Sequence, residues 1–484
     1  MNKSRNLTLL TDLYQVNMAY AYFCSGMAEK QVVFDLFFRR NPCENGYTIM
    51  AGLEQVIEYV RRFHFEPRDL EYLRSSQGYS AAFLNYLKTL RFTGEIDAVP
   101  EGVFVFPQEP VLRVKASLLQ AQLLETTLLT LLNHQSLIAT KTARIVEAAG
   151  DQPVLEFGLR RAQGPDAGVY GARAAYIGGA AATSNLMAGK MFNIPVRGTH
   201  AHSFVQAFGD ELTAFRRFAK TFPQGAILLV DTYDTLKQGL PNAIKIFREM
   251  RQSLGAAFRN HGIRLDSGDL AYLSKAARKI LDAAGFPEAK IAASNDLDEY
   301  LIQDLKLQGA KIDIWGVGTN LITSGSCPAL SGVYKLAARE QNGVLKPELK
   351  RSENPEKINN PGLKKLVRFQ DEKSGAALLD LIMLNDEPLP VKSFLSFDSV
   401  HPWKKKEIIG FTARSLLEPV FQGGKLSYAQ PSLEAIRRRV REEQISFGKE
   451  IRRLTNPHIY HVDLSAKLFK LKQHLLEEVR NNSH

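Results

Sequence analysis

Between Val154 and Thr319, short apolar runs alternate with longer stretches of helical periodicity, and the apolar runs end on polar residues. The candidate strands are Val154–Phe157, Ala226–Val230, Gly262–Leu265, Lys290–Ala293 and Ile312–Trp315. Helices fit between them at roughly 209–220, 235–254, 268–284 and 297–308. Strand followed by helix, repeated, implies parallel strands, because a helical crossover returns the chain to start the next strand in the same direction. The strand exits read Asp231, Arg264-Leu-Asp266-Ser-Gly-Asp269, Ser294-Asn295-Asp296 and Gly316-Val-Gly318-Thr319. Parallel α/β folds gather their chemistry at the carboxyl ends of strands. The pattern predicts an α/β barrel with one shared site at that end; an open doubly wound sheet is the alternative.

The flanks are less regular. A helix is expected from Thr11 to Gly26, with Thr11 or Asp12 as N-cap. Apolar segments follow at 31–38 and 103–106, and a short strand at 111–114 after Pro107 and Pro110. The most apolar long stretch, Ala116 to Ala149, is interrupted by Gln122, Glu125, Asn133, His134 and Lys141. That spacing suits a buried amphipathic helix better than a membrane span. After a polar loop at 351–362 come two strand-like runs, 365–369 and 377–383, and then charged helical sequence. Three zones result: an N-terminal α+β domain over 1–115, a catalytic barrel over 116–345, and an appendage over 346–484 that completes the small domain.

Composition excludes some functions. Hydrophobic residues make up 45% of the 484 and charged residues 23%, the balance of a soluble globular protein with room for a large core. A net charge of +11 invites a nucleic-acid reading. The larger part of that excess lies after residue 400, in runs such as 404–406 and 437–441 with few interleaved aromatics. Such runs read as a solvated helical face, so neither nucleic acid nor membrane is expected as a partner. The three cysteines, Cys24, Cys43 and Cys327, are odd in number and far apart, which gives no disulfide framework and no CxxC metal site. The first residues lack the apolar core of a signal peptide. A reducing, cytoplasmic setting is expected.

Four motifs carry candidate chemistry. Gly316-Val-Gly318-Thr319-Asn320 offers backbone N–H groups and a hydroxyl to a phosphate, or is simply a tight turn. Arg264-Leu-Asp266 puts a cation and a carboxylate on one side of a strand, suited to an anion and a ribose diol or magnesium; Asp266 or Ser267 could equally cap the next helix. Phe157 with Arg160 can stack a flat ring and grip its carboxylate, or be a core ring and a surface cation. Gly198-Thr199-His200-Ala201-His202-Ser203 is the best histidine site. An HxH pair on a strand could bind a metal, but no third ligand lies near in sequence, and a nucleophilic or acid–base histidine is better supported.

Read together and in order, EFGLRRAQG (156–164), GTHAHSF (198–204), RLDSGD (264–269), SNDLDE (294–299) and GVGTN (316–320), with TDLYQ (11–15), resemble the nicotinate phosphoribosyltransferases. The resemblance runs from about residue 8 to 335. It implies a type II phosphoribosyltransferase fold: an irregular TIM-like α/β barrel with a mixed α+β domain built from both chain ends. It implies synthesis of nicotinate mononucleotide from nicotinate and 5-phosphoribosyl 1-pyrophosphate (PRPP), with ATP as co-substrate, Mg2+, and a phosphorylated histidine matched by His202. It also implies a homodimer with shared active sites. Tyr14 of the neighbouring chain would enclose the pyridine ring and Phe157 would stack on it. Arg160, Thr199 and Arg264 would surround nicotinate and PRPP. Asp266 would lie near the ribose, and Asn295, Asp296, Gly318 and Thr319 near the 5′-phosphate. No metal ligand and no role for His200 carry over. Nicotinamide- and quinolinate-using relatives and, outside the class, a basic nucleic-acid-binding protein are the rivals. The stretch Thr183-Ser184-Asn185, free of carboxylates, favours an anionic substrate over nicotinamide.

Overall fold

The computed structural model describes residues 5–354, 357–398 and 403–481. The chain forms two compact units, Lys141–Pro328 and a second one built from both chain ends, up to Thr140 and from Ala329 onward. These boundaries differ from the expected 115/116 and 345/346. The first lies inside one unbroken helix, Leu118–Ala149, so no linker announces it. The second is displaced because strand Gly332–Gln341 pairs antiparallel with Gln31–Phe38 and so belongs with the chain start.

In the Lys141–Pro328 unit six strands form one sheet: β1 (Val154–Glu156), β2 (Ala182–Thr183), β3 (Ile227–Leu229), β4 (Gly262–Leu265), β5 (Lys290–Ser294) and β6 (Ile314–Val317). Their order is β2-β1-β6-β5-β4-β3, and every pairing is parallel. Helices Pro165–Ile177, Leu240–Leu254, Leu270–Ala283 and Glu299–Leu307 provide crossovers. Asp269 and Asp298 cap two of them by accepting from Tyr272 N and Leu301 N. The N-cap is therefore Asp269, not Asp266 or Ser267, which leaves those two for other partners.

Among the described residues no ladder joins β2 to β3. The segment after Ile194 crosses that gap. Val196 bridges Thr183 in parallel, Arg197 N donates to Thr183 O, and Leu229 N donates to His200 Nε2 at 3.2 Å. An irregular barrel results, closed by side chain and loop where a regular barrel would use strands.

The other unit carries a seven-stranded sheet that includes Gln31–Phe38, Glu95–Ala98, Leu112–Ser117 and Gly332–Gln341, and a six-stranded sheet around Lys364–Asp371 and Ala377–Leu384. The C-terminal zone holds more strand than expected. Residues between Ser393 and Leu426 give five short strands before the helices Leu433–Ser446 and Ala466–Asn481. Of the expected loop at 351–362, residues 355–356 lie outside the described residues. No helix among the described residues is long and apolar enough to cross a membrane.

Candidate active site

Arg264, on β4, organises the carboxyl end of the barrel. Its Nε donates to Ser294 Oγ at 2.8 Å, Nη1 to Thr199 Oγ1 at 3.1 Å and Nη2 to Asp266 Oδ1 at 2.7 Å. Its Cζ stands 5.8 Å from the centre of the Phe157 ring. Each of its three nitrogens thereby fixes a neighbour, two N–H groups remain for a ligand, and one face lies over an aromatic surface. Arg264 and Asp266 meet as expected, although Asp266 lies one residue beyond the end of β4.

Asp266 leads to the next strand. Its backbone N and Ser267 Oγ both donate to Asp231 Oδ2 at 2.7 Å. Asp231 follows β3, and its Oδ1 is buried without a hydrogen-bond partner among the described residues. That oxygen lies 4.0 Å from His202 Nε2, and Asp266 Oδ2 lies 3.8 Å from the same nitrogen. His202 Nδ1 is 3.1 Å from Thr232 Oγ1. His202 is 40% exposed in its side chain, so its imidazole hydrogen-bonds Thr232, has two carboxylates nearby and is still reachable.

His200 is placed differently. It is 7% exposed and its ring packs against Phe204, Phe215 and Phe218. Because Nε2 accepts from a backbone N–H, that nitrogen carries no proton. Burial pushes its pKa down to about 4, with Arg264 and His202 adding to the effect and the Ala201 carbonyl opposing it. The expectation that the two histidines could share a strand face fails, because His202 opens the helix His202–Ala207 while His200 precedes it in extended chain. Among the described residues no group of three or more His, Cys, Asp or Glu is gathered as a metal site.

A cavity of about 340 Å³ opens beside Arg264. Phe157, Arg160, Thr199 and Arg264 line it, as do Leu159, Ser184 and His200. Phe157 follows β1, and its ring leaves no room opposite it: a Cβ on Gly316 would stand 2.8 Å from ring carbons. Gly316 therefore lies inside β6 rather than in the turn expected after it.

The remaining sequence candidates are not cavity-lining. Asn295 and Asp296 leave β5 with φ of +105° and +40°, conformations uncommon for residues with side chains. Gly318 and Thr319 leave β6, and Asn320 Nδ2 donates to Asp296 O at 2.9 Å, joining the two exits. Tyr14 belongs to the other compact unit, on helix Leu13–Cys24, 50% exposed, its phenol oxygen accepting from Gln15 Nε2. Sequence reasoning missed Asp231, Thr232 and Ser294 as members of the histidine and arginine network. Asp231 and Ser294 were visible as polar strand exits, and only the spatial order β5-β4-β3 reveals their partners.

Comparison with known proteins gives this arrangement a class. A crystal structure of human nicotinic acid phosphoribosyltransferase superposes with a TM-score of 0.83 at 32% identity, covering 96% of this chain and all of that one, 100%. A nicotinate-nucleotide pyrophosphorylase from Pyrococcus furiosus, 22% identical over 91% of this chain and 96% of that one, shares the fold with a TM-score of 0.68. The fold is thus that of the type II phosphoribosyltransferases.

Sequence resolves the class further. Residues 9–133, 153–343 and 363–472 match the family models of the nicotinate phosphoribosyltransferase N-terminal domain, the nicotinate phosphoribosyltransferase family and its C-terminal domain. A nicotinate phosphoribosyltransferase of Bacillus subtilis is 49% identical over 480 residues, 99% of this chain and 97% of that one. One from Dictyostelium discoideum is 38% identical, over 95% of this chain and 87% of that one. The chain belongs to the nicotinate phosphoribosyltransferase family and is an enzyme of it.

Proposed function

We propose that this enzyme joins nicotinate to PRPP to make nicotinate mononucleotide, releasing pyrophosphate, and that ATP drives the cycle by phosphorylating His202. The observation that carries this reading is the accessible His202 imidazole, set among Thr232, Asp231 and Asp266 and connected through Asp266 to the arginine that lines the cavity. His200 cannot serve in its place while Nε2 is bound to Leu229 N.

In this mechanism nicotinate lies on Phe157 with its carboxylate toward Arg160, and Arg264 adds positive potential without leaving its partners. Ser184 supplies a hydroxyl to the lining and no carboxylate, which favours the acid over the amide. The pyridine nitrogen attacks C1 of the ribose as pyrophosphate leaves from the opposite face, through an oxocarbenium-like state. Thr199 and Asp266 hold the ribose side, and the joined exits at Asn295, Asp296, Gly318 and Thr319 take the 5′-phosphate. The orphaned Asp231 Oδ1 and the neighbouring Asp266 would hold a magnesium ion, which would supply positive charge to offset that on the leaving pyrophosphate.

ATP serves the second half of the cycle. Its γ-phosphoryl group passes to an imidazole nitrogen of His202 with release of ADP, and hydrolysis later returns the histidine and phosphate. The added charge beside the PRPP site tightens substrate binding, and its loss releases product. The active unit is a homodimer in which Tyr14 of one chain closes the ring site of the other; its 50% exposure, beside Leu13 at 51%, supports a covered position in an assembly. Cys24, Cys43 and Cys327 form no disulfide with one another, which suits a reducing, cytoplasmic setting.

The test is turnover of nicotinate and PRPP, with and without ATP, reading nicotinate mononucleotide. Product should form in both cases and faster with ATP. Absence of product, or equal kcat/KM for nicotinate and nicotinamide, contradicts the reading.

A further inference from the structure

Glu156 is the last residue of β1 and is 1% exposed. It does not line the cavity, yet its carboxylate bonds to Gly158 and Thr183, the sequence neighbours of the lining residues Phe157, Leu159 and Ser184. One oxygen accepts from Gly158 N, in the turn that carries Phe157 and Arg160. The other accepts from Thr183 Oγ1 at 2.5 Å, across the β1–β2 register. Thr183 Oγ1 in turn accepts from Asn185 N at 3.0 Å, and Ser184 N donates to the Glu156 carbonyl at 2.9 Å. Ser184, a cavity-lining residue, is thus held on both sides by atoms that answer to Glu156.

We propose that Glu156 is a positioning residue for substrate specificity: it fixes the separation between the Phe157–Arg160 turn and Ser184, and so the width of the slot that takes the pyridine ring. The inference rests on the reading of that slot as the nicotinate seat. The chemistry matches the geometry. A carboxylate is acceptor-only, and here it faces two donors, an N–H and an O–H. Burial raises its pKa, and the bonds from Thr183 and Gly158 oppose that rise. The turn has no slack on its other side, where a Cβ on Gly158 would stand 2.5 Å from Ile322 Cβ and 2.8 Å from the Gly318 carbonyl oxygen. With the turn fixed by packing on one side, the bonds of the Glu156 carboxylate add to the backbone pairing that holds Ser184, so the slot width responds to this side chain.

Glutamine at this position can keep both bonds, because its amide oxygen accepts from Gly158 N while its NH2 donates to a reoriented Thr183 hydroxyl. Leucine can keep neither. Steady-state KM for nicotinate and for PRPP, and the nicotinate-to-nicotinamide ratio of kcat/KM, are measured on the full-length wild type, Glu156→Leu, Glu156→Gln and Thr183→Val. Losing two buried bonds should raise the nicotinate KM of Glu156→Leu about tenfold or more and lower its discrimination, with the PRPP KM within about twofold of wild type. Thr183→Val, which removes both the bond to Glu156 and the one that Thr183 Oγ1 accepts from Asn185 N, should shift the nicotinate KM in the same direction by a similar factor, and Glu156→Gln should stay within about threefold of wild type. If Glu156→Leu does not fold, Thr183→Val decides by the same split. A nicotinate KM unchanged in Glu156→Leu or in Thr183→Val, or one that rises together with the PRPP KM, overturns the positioning role. A wild type that does not use nicotinate refutes the seat itself, so the two failures are distinguishable.

Discussion

His200 and His202 are two positions apart and have opposite surroundings. His202 sits exposed between carboxylates and a hydroxyl, whereas His200 spends its ring nitrogen on the edge of β3 and its faces on three phenylalanines. A third histidine, His261, is 1% exposed among Phe247, Phe258 and Phe286, and neither ring nitrogen has a hydrogen-bond partner among the described residues. Burial lowers the pKa of both His200 and His261 to about 4. The folded protein therefore binds fewer protons than the unfolded chain between about pH 6.5 and 4, and stability falls as pH is lowered through that window. Replacing His261 by phenylalanine removes one such group and keeps the aromatic packing. The Tm of His261→Phe should exceed that of wild type by a margin that widens as pH falls from 7 to about 4.5. A margin independent of pH would rule out this source of acid sensitivity.

At the scale of elements, the site depends on close approach between neighbouring strands. Phe157, after β1, lies against the bare backbone of Gly316 in β6. Alanine there would push the ring into the cavity, at a cost of about 1–3 kcal/mol if it moves. Gly316→Ala should raise the nicotinate KM while leaving phosphorylation by ATP near wild type; a normal nicotinate KM would show that the ring is free to shift. Much of this element-level picture was legible beforehand. Four of the five strands foreseen in the barrel lie within a residue or so of their expected bounds, because a buried parallel strand is an unbroken apolar run. The fifth, β6, begins two residues late, and Gly316 was read as turn because glycine usually punctuates. β2 has only two residues and no periodicity to detect. The C-terminal strands were hidden by exposure: Lys405–Ile409 buries a single residue, Ile408, so it reads as polar sequence. Local motifs single out Arg264, Asp266 and His202 as candidates, but the bonds of Glu156 and Asp231 depend on strand register and order, which local sequence does not encode.

At the scale of the whole molecule, the proposed homodimer would complete each ring site with residues of two chains. Mixing Tyr14→Ala with His202→Ala should give hybrid dimers with one intact site and recover part of the activity that each variant lacks; a fully active monomer at assay concentration would exclude shared sites. The same two-step chemistry gives the most direct test of the central claim, that ATP acts through His202. Wild type, His202→Ala and His200→Ala are incubated with γ-labelled ATP, and acid-labile phosphopeptides are mapped under alkaline conditions. Label should appear in the peptide containing residues 198–204 of wild type and of His200→Ala. It should be absent from His202→Ala, together with ATP stimulation, while slow PRPP-dependent synthesis of nicotinate mononucleotide continues. Label that persists in His202→Ala and vanishes in His200→Ala would contradict the account.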